Sequence, residues 1–298
     1  MPALCLGEAI VDLVCERPVE DLAQADAFRP HFGGAVANVA VTAAALGADI
    51  WLAGGAGDDP WGRWLRARLA AAGVGLEHFE LIVGADTPIA FVTTRPDGEP
   101  QFRIYGDGIA ATLRAVAGRL PDAVAASDAL FLSSNTLAGE PERQLTLAAR
   151  EQALELGRPV VFDPNLRLHR WPSVRDAVAE ANRCVPGALL VRANRTEAEL
   201  LTGEPDPERA ANALLAAGAR VAAVTLGAGG ALLRGEARGD APGRPARVVS
   251  AVGAGDTFTG VLLAHLALAG YQPAAAAAAL PQAVEESARA TERWGAVD

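Results

Sequence analysis

Strand-like and helix-like segments alternate along most of this chain, and that alternation limits the folds open to it. Apolar runs that suit buried strands lie at 129–132, 159–162, 188–192, 221–225, 230–233 and 246–249. Segments with helical spacing lie among them, at 112–126, 141–156, 173–183, 207–217 and 256–269. Because such alternation covers both faces of a sheet with helices, it predicts an α/β fold with a mostly parallel central sheet.

The amino-terminal part begins with the same alternation and then changes. Strand, helix, strand and helix are predicted in turn at 3–14, 35–46, 50–53 and 61–72. Short strand-like runs follow at 79–83, 89–94 and 101–105, with a turn at Pro96-Asp97-Gly98. We therefore expect residues 1–298 to form one domain, with a small β lid made of roughly 13–32 and 84–110.

Charge and residue usage exclude several classes of function. The net charge is -10, with 36 acidic against 26 basic residues, which argues against a nucleic-acid surface. All the basic residues are arginines, so a P-loop lysine, a Schiff base and a Ser-Lys nucleophile are excluded. The 4 histidines lack the spacing of zinc ligands.

The remaining global features predict a cytoplasmic protein that binds small molecules. The three cysteines, Cys5, Cys15 and Cys184, form no CxxC motif, which favours reduced thiols. No uncharged apolar stretch reaches the roughly 20 residues of a membrane span. The first residues lack the basic region of a signal peptide, so no membrane partner is expected.

The most informative segment is 246–264, where Gly253-Ala254-Gly255 precedes Asp256 and a long apolar helix. Small residues let backbone N–H groups converge on an anion at a helix N-terminus. A carboxylate beside that anion can accept the proton of a hydroxyl that attacks a phosphoryl group. The same residues also suit an ordinary helix cap, so taken alone they leave both interpretations open.

In its context, the stretch Val252–Gly260 (VGAGDTFTG) resembles the signature of the ribokinase-like sugar kinases, the PfkB family. Other segments resemble that family in the same order: Gly33–Ala40 (GGAVANVA), Ala45-Leu46-Gly47, Gly57–Gly62 (GDDPWG), Asn194–Glu197 (NRTE) and Thr225–Gly230 (TLGAGG). The resemblance runs from residue 7 to past 260. It implies a ribokinase-like fold and the ATP-dependent phosphorylation of a sugar hydroxyl, with Mg²⁺ as cofactor.

The resemblance also implies roles for individual residues. Asp256 would be the catalytic base, and Gly253, Ala254 and Gly255 would form the anion hole. The sugar would contact Asp12, Gly33, Gly34, Asn38, Tyr105 and Arg167. The nucleotide would lie against Asn194, Thr225, Gly227 and Gly230, and Glu197 would hold Mg²⁺ through water.

Two segments bear on the substrate. Asp163-Pro164-Asn165-Leu166-Arg167, followed by Trp171, resembles the fructokinase and 2-keto-3-deoxygluconate kinase branch. That branch commonly has Tyr-Arg in the lid, and this chain has Tyr105 followed by Gly106. Loss of the arginine weakens the sugar-acid interpretation, so we expect a fructokinase-like enzyme, with a 2-keto-3-deoxygluconate or other sugar or sugar-acid kinase as the alternative.

Further alternatives concern ions, assembly and activity. Ser250 stands where the family often has an aspartate that supports a monovalent-cation site, so the sequence leaves activation by K⁺ open. Lid sheets of the family often pair between subunits, which implies a homodimer. A non-catalytic sugar or nucleotide sensor on the same fold is the alternative from another class. A dinucleotide-dependent oxidoreductase is set aside, because Leu6-Gly7-Glu8-Ala9 lacks the GxGxxG turn.

Overall fold

A computed structural model describes residues 1–96, 100–105 and 108–297. Its strands are β1 (Ala3–Leu6), β2 (Ile10–Val14), β3 (Arg29–Gly33), β4 (Ile50–Gly57), β5 (Phe79–Ile82), β6 (Ile89–Thr94), β7 (Pro100–Tyr105), β8 (Ala129–Ser133), β9 (Val160–Asp163), β10 (Leu190–Asn194), β11 (Val221–Thr225), β12 (Ala231–Gly235) and β13 (Gly239–Ala241). Its helices are α1 (Ala35–Ala45), α2 (Pro60–Ala71), α3 (Gly108–Val116), α4 (Leu120–Ala126), α5 (Glu140–Glu155), α6 (Val174–Asn182), α7 (Arg195–Thr202), α8 (Pro207–Ala216), α9 (Ala254–Leu268) and α10 (Pro273–Ala290).

The central sheet confirms the predicted α/β fold. Within the described residues it has nine strands, in the order β13-β12-β11-β10-β9-β8-β1-β4-β5. Neighbours from β11 to β5 are parallel, and β12 and β13 extend one edge in antiparallel fashion. The chain order turns back at β1, which lies between β8 and β4. In open α/β sheets, ligands bind beyond the carboxyl ends of the strands at such a point.

Helices cover both faces of this sheet. One apolar core joins it to α1, α2, α9 and α10, and a second joins its other face to α4, α5, α6, α7 and α8. Several helices begin at polar caps that the sequence supplies: Asp59 and Asp206 each precede a proline, and Asn194 forms a capping box with Glu197. Within the described residues, no helix is both long enough and apolar enough to cross a membrane.

A second sheet, in the order β3-β2-β6-β7, is built from the segments on either side of α1 and β4. Its buried face carries Ile10, Val14, Ala90 and Val92, which pack with Val252 in one apolar cluster. This cluster attaches the small sheet to the loop that leads into α9. That the sheet moves as a lid stays a prediction.

The expectation of one strand over 3–14 is wrong, because the chain leaves the central sheet after Leu6 and enters the second sheet at Ile10. At Gly7 the backbone passes so close to α1 that a Cβ atom would overlap Val36. Since both strands are buried, their apolar residues read as one continuous run and hide the break.

Other predicted boundaries also differ. Residues 246–249 form no strand, because the N–H groups of Val249 and Ser250 both donate to the carbonyl of Thr291 at the end of α10. The helix predicted over 112–126 is two helices, α3 and α4, joined by a 3₁₀ turn, with Pro121 in the first turn of the second. The sequence pattern does not predict strands β3 and β13 or helices α7 and α10.

Candidate active site

Polar residues follow the carboxyl ends of neighbouring parallel strands and so gather at one edge of the sheet. Glu8 follows β1, Asn135 follows β8 and Asn165 follows β9. All three are buried. The N-terminus of α9 faces the same edge, since Asn165 Nδ2 lies 3.3 Å from Asp256 Oδ1. This edge therefore combines acceptors, donors and a helix N-terminus.

Asp256 is held by an amide on each side. Asn38 Nδ2, from α1, donates to Oδ2 at 2.8 Å, and Asn165 Nδ2 donates to Oδ1. Burial raises the pKa of Asp256 to about 6, an effect that the Asn38 hydrogen bond opposes. A carboxylate that is ionised at neutral pH and has a pKa close to it is well suited to accept a proton.

Asp12 lies on β2, in the second sheet, and faces the same space. Its Oδ1 is buried and has no hydrogen-bond partner in the described part of the chain. Burial raises the pKa of Asp12 to about 8; the Asp256 charge adds to this shift and Arg167 opposes it. Gly33 is required beside it, because a Cβ atom there would overlap the Asp12 carboxylate.

These residues line one pocket between the two sheets. Besides Asp12, Asn38 and Asp256, its walls include Glu8, Ile10, Gly34, Phe102, Ile104, Asn135, Arg167, His169 and Gly253. The Arg167 guanidinium lies 5.4 Å from the centre of the Phe102 ring, so a cation borders the pocket. The wall is polar on the side of the central sheet and apolar at Phe102 and Ile104 of β7.

The N-terminus of α9 supplies backbone donors, and the N–H of Ala254 makes only a long hydrogen bond, of 3.5 Å, to the carbonyl of Ala251. No side chain among the described residues caps this helix end. Gly253 has φ 77°, a conformation that favours glycine, and a Cβ atom there would overlap Ala296. The first N–H groups of a helix lack partners within the helix, so those at Ala254 and Gly255 suit an anion.

A second groove lies on the other side of the same helix end. Its walls include Asn194, Thr225, Gly227, Gly230, Ala254 and Gly255, together with Val248 and Ala288. The four residues that sequence analysis assigned to a nucleotide are therefore brought together here. Ala254 and Gly255 line this groove, and Gly253 and Asp256 line the first pocket. The helix end thus separates a proton acceptor from a groove with room for a larger ligand.

A buried ion pair lies next to the first turn of α9. Arg192 Nη1 lies 3.3 Å from Asp163 Oδ2, and its Nη2 donates to Thr225 Oγ1 at 2.8 Å. Thr259 Oγ1 donates to Asp163 Oδ2 at 2.6 Å. Gly255 passes directly over the guanidinium, since a Cβ atom there would lie 2.7 Å from Arg192 Nη1. Strands β9, β10 and β11 are therefore tied to the first turn of α9.

Glu197 has a structural role, and its role in holding Mg²⁺ stays a prediction. Its Oε2 accepts from the backbone N–H of Asn194 and its Oε1 from that of Leu166, each at 2.9 Å. Burial raises its pKa, and Arg192 opposes the shift. Across the described ranges, no three His, Cys, Asp or Glu side chains form a metal site. Any Mg²⁺ here would depend on phosphate oxygens and water, the ligands it commonly keeps.

Tyr105, a predicted sugar contact, is not among the residues that line the pocket containing Asp12. Tyr105 is 52% exposed, and its ring packs edge-on against Phe91 at 5.6 Å, away from the pocket that contains Asp12. Gly106 lies outside the described residues, as do Asp97 and Gly98 of the predicted turn. Ser250 is buried, and its Oγ accepts from the N–H of Val252 at 3.3 Å.

Sequence reasoning gave no role to Glu8, Asn135, Asn165, Asp163 or Arg192. A signal existed for Glu8, which interrupts an apolar run, and for Asp163 and Asn165, which belong to a recognised motif. Asn165 has φ 40°, so its own backbone turn directs its amide towards Asp256. Nothing in the local sequence pairs Asn135 or Arg192 with this edge.

Comparison with curated proteins finds plant fructokinases. Fructokinase-2 of Solanum lycopersicum is 34% identical over 262 residues, which cover 87% of this chain and 80% of that protein. Fructokinase-1 of Oryza sativa subsp. japonica is 35% identical over 262 residues, covering 87% and 81%. The similarity therefore spans most of both proteins.

Solved structures give the same picture. Fructokinase from Vibrio cholerae O395, bound to fructose, ADP and a calcium ion, superposes with a TM-score of 0.84 at 29% identity, covering 99% of this chain and 94% of that one. Aminoimidazole riboside kinase from Salmonella enterica, in complex with aminoimidazole riboside and an ATP analog, gives 0.83 at 26% identity, covering 99% and 95%.

The family model described as pfkB family carbohydrate kinase matches residues 3–290. That range contains every residue named above in the walls of the two pockets, and the helix end between them. The resemblance stated from the sequence motifs is thus confirmed, and this chain belongs to the pfkB family of carbohydrate kinases.

Proposed function

We propose that this carbohydrate kinase transfers the γ-phosphoryl group of ATP to a hydroxyl of fructose. The observation that carries the proposal is the position of Asp256, whose carboxylate faces the smaller pocket while the N–H groups beside it border the larger groove. Sugar in the first space and nucleotide in the second would meet at this helix end. The plant and bacterial fructokinases among the relatives support fructose as the acceptor.

In the proposed reaction Asp256 is the general base. It accepts the proton of the sugar hydroxyl as the hydroxyl oxygen attacks the γ-phosphorus and the bond to the ADP oxygen breaks. Asn38 and Asn165 hold its two oxygens and so fix its direction. Backbone N–H groups of the Gly253-Ala254-Gly255 segment stabilise the charge on the transferred group.

The larger groove is the proposed ATP site, bordered by Asn194, Thr225, Gly227 and Gly230. Bound Mg²⁺ would neutralise charge on the phosphates. Glu197 fits only a contact through water, because both its oxygens already accept backbone N–H groups. Its direct effect is to hold the start of α7 and the turn at Leu166.

The polar atoms of the smaller pocket favour a neutral sugar. Asp12 Oδ1 and Asn38 Oδ1 are buried acceptors without a donor in the described residues. Hydroxyl groups supply donors, and one carboxylate can accept from two of them. Arg167 favours the alternative, a sugar acid such as 2-keto-3-deoxygluconate, but Asp256, which is ionised at neutral pH, would repel its carboxylate. The homodimer and the cytoplasmic location stay predictions.

The test is ADP release with Mg-ATP across a panel of acceptors. The panel contains fructose, ribose, other ketoses, 2-keto-3-deoxygluconate, other sugar acids and nucleosides, with Asp256→Asn as the control. Turnover highest with fructose, and absent in the control, supports the proposal. Highest turnover with a sugar acid would replace fructose as the substrate. Binding of sugar without any ADP release would instead favour the sensor.

A further inference from the structure

The side chain of Glu8 occupies the point where the chain leaves the central sheet for the second sheet. It follows β1, at the position where the strand order turns back between β8 and β4. The residue is only 2% exposed, yet it lines the pocket that contains Asp12 and Asp256. Nothing in the reaction derived above uses it. A buried carboxylate in a ligand pocket needs partners, because burial of an uncompensated charge is costly.

One oxygen of Glu8 has a structural role. Its Oε1 accepts from the backbone N–H of Ala35 at 3.1 Å and from Asn135 Nδ2 at 2.9 Å. Ala35 is the first residue of α1, and the preceding Gly34 has no side chain with which to cap that helix. Glu8 therefore acts as the cap from a distant part of the chain.

The orientation of Asn135 is fixed from its other side. Arg170 Nη1 donates to the Asn135 carbonyl at 2.9 Å and to Asn135 Oδ1 at 3.3 Å. Because an arginine is only a donor, the oxygen of the amide faces Arg170 and its NH₂ group faces Glu8. Glu8 Oε1 is thereby supplied with two donors.

The second oxygen of Glu8 has no such donor among the described residues. Glu8 Oε2 is buried and has no hydrogen-bond partner in the part of the chain that the structure describes. Asn38 and Asn165 hold Asp256, whereas Asn135 and Ala35 hold Glu8, so the two carboxylates occupy different walls of the pocket. A ligand hydroxyl that approaches Oε2 is therefore not the one that Asp256 deprotonates.

We propose that Glu8 is a specificity-determining residue that accepts a hydrogen bond from a non-reacting hydroxyl of the sugar. The inference rests on the proposed sugar kinase function and names the acceptor more closely: a neutral polyhydroxyl sugar, since a sugar acid would bring a second negative charge to this wall. Arg170 and Asn135 act on Glu8 as positioning residues, because Arg170 orients the Asn135 amide and that amide holds Glu8 Oε1.

The test compares the wild type with Glu8→Gln, using D-fructose and its monodeoxy analogues. Glutamine keeps an oxygen for Ala35 and Asn135 but places an NH₂ group where Oε2 was. We expect KM for fructose to rise at least tenfold, with kcat within threefold and the melting temperature nearly unchanged. With the wild type, one analogue that lacks a hydroxyl at a non-reacting carbon should have a kcat/KM lower than that of fructose by about the same factor. With Glu8→Gln, this analogue and fructose should have about the same kcat/KM.

A structural role alone predicts the opposite pattern: a lower melting temperature, an unchanged KM for fructose and equal losses for every deoxy analogue in both proteins. That pattern overturns the inference. If Glu8→Gln does not fold, Glu8→Asp keeps the charge, withdraws it by one methylene, and should show the same rise in KM. Titration calorimetry with fructose separates the two proposals. Weaker binding of fructose by the variant than by the wild type supports the role of Glu8, whether or not ADP is released. Absence of ADP release contradicts only the kinase reaction.

Discussion

Asp256 carries the most direct prediction, at the scale of a single residue. A base must be ionised to accept a proton, and burial raises its pKa to about 6. We therefore expect kcat at saturating sugar to be level above pH 7 and to fall about tenfold per pH unit below pH 6. Asp256→Asn should lower kcat by about 10²–10⁴-fold and leave the affinity for ATP intact. Activity within tenfold of the wild type would contradict the assignment.

Asp12 is proposed to bind the sugar, and its burial should lower the stability of the folded protein when no sugar is bound. Burial and the Asp256 charge raise its folded pKa to about 8, above the ordinary 3.8. The folded protein therefore binds more protons than the unfolded chain between these values, and its free energy of unfolding falls as pH rises through that range. Without sugar at pH 7.5, Asp12→Asn should melt about 2–4 °C higher than the wild type.

Exposed Asp86 provides the control for that measurement, and Asp86→Asn should leave the melting temperature unchanged. The gain in Asp12→Asn should shrink as pH falls towards 4, because the wild-type carboxyl then becomes protonated in both states. A variant that melts lower than the wild type at pH 7.5 would mean that Asp12 stabilises the fold.

At the scale of elements, Arg192 connects three neighbouring strands with α9. Arg192→Met leaves the Asp163 carboxylate buried without its cation, which typically costs about 3–5 kcal/mol. Adding Asp163→Asn removes that charge and should recover part of the loss. Urea unfolding of the two single variants and the double variant measures this coupling. Additive losses would show that the pair does not act as a unit.

The loop before α9 gives a second prediction at this scale. In Gly253→Ala the new methyl group meets Ala296, and the residue keeps a φ of 77° only with strain. The N–H groups that follow should therefore shift. We expect kcat to fall at least tenfold, since a misplacement of about 1 Å can cost about 10²-fold. Gly118→Ala, where a Cβ atom meets nothing, is the matched control and should stay fully active.

At the scale of the whole molecule, the proposed sugar pocket is formed by both sheets. Asp12 lies in the second sheet and Asp256 on a helix that packs on the central sheet, so we expect the relative position of the sheets to control the access of water to bound phosphates. We expect ADP release without sugar to be below about 1% of the rate with saturating fructose. A high rate that fructose does not change would contradict closure over the sugar.

Features formed by residues that are adjacent in the sequence could be predicted, whereas contacts between distant segments could not. The start of α9 could be predicted from the segment Gly253–Asp256, because a turn and the first residues of a helix depend on neighbouring residues in the sequence. Glu8 and Asn135 are 127 positions apart and meet only because β1 lies beside β8. Strand β3 escaped detection because its residues, RPHFG, read as irregular, and its pairing with β2 is what makes it a strand.

The strand order also has a consequence for the growing chain. Strands β9, β10 and β11 each pair with the strand made just before, but β1 lies between β4 and β8. The first strand therefore leaves the ribosome long before its second neighbour, at 129–133, exists. Asp256, the proposed base on α9, comes later still. A nascent chain that stops before residue 254 contains every described strand of the sheet but lacks this residue, so we expect it not to consume ATP.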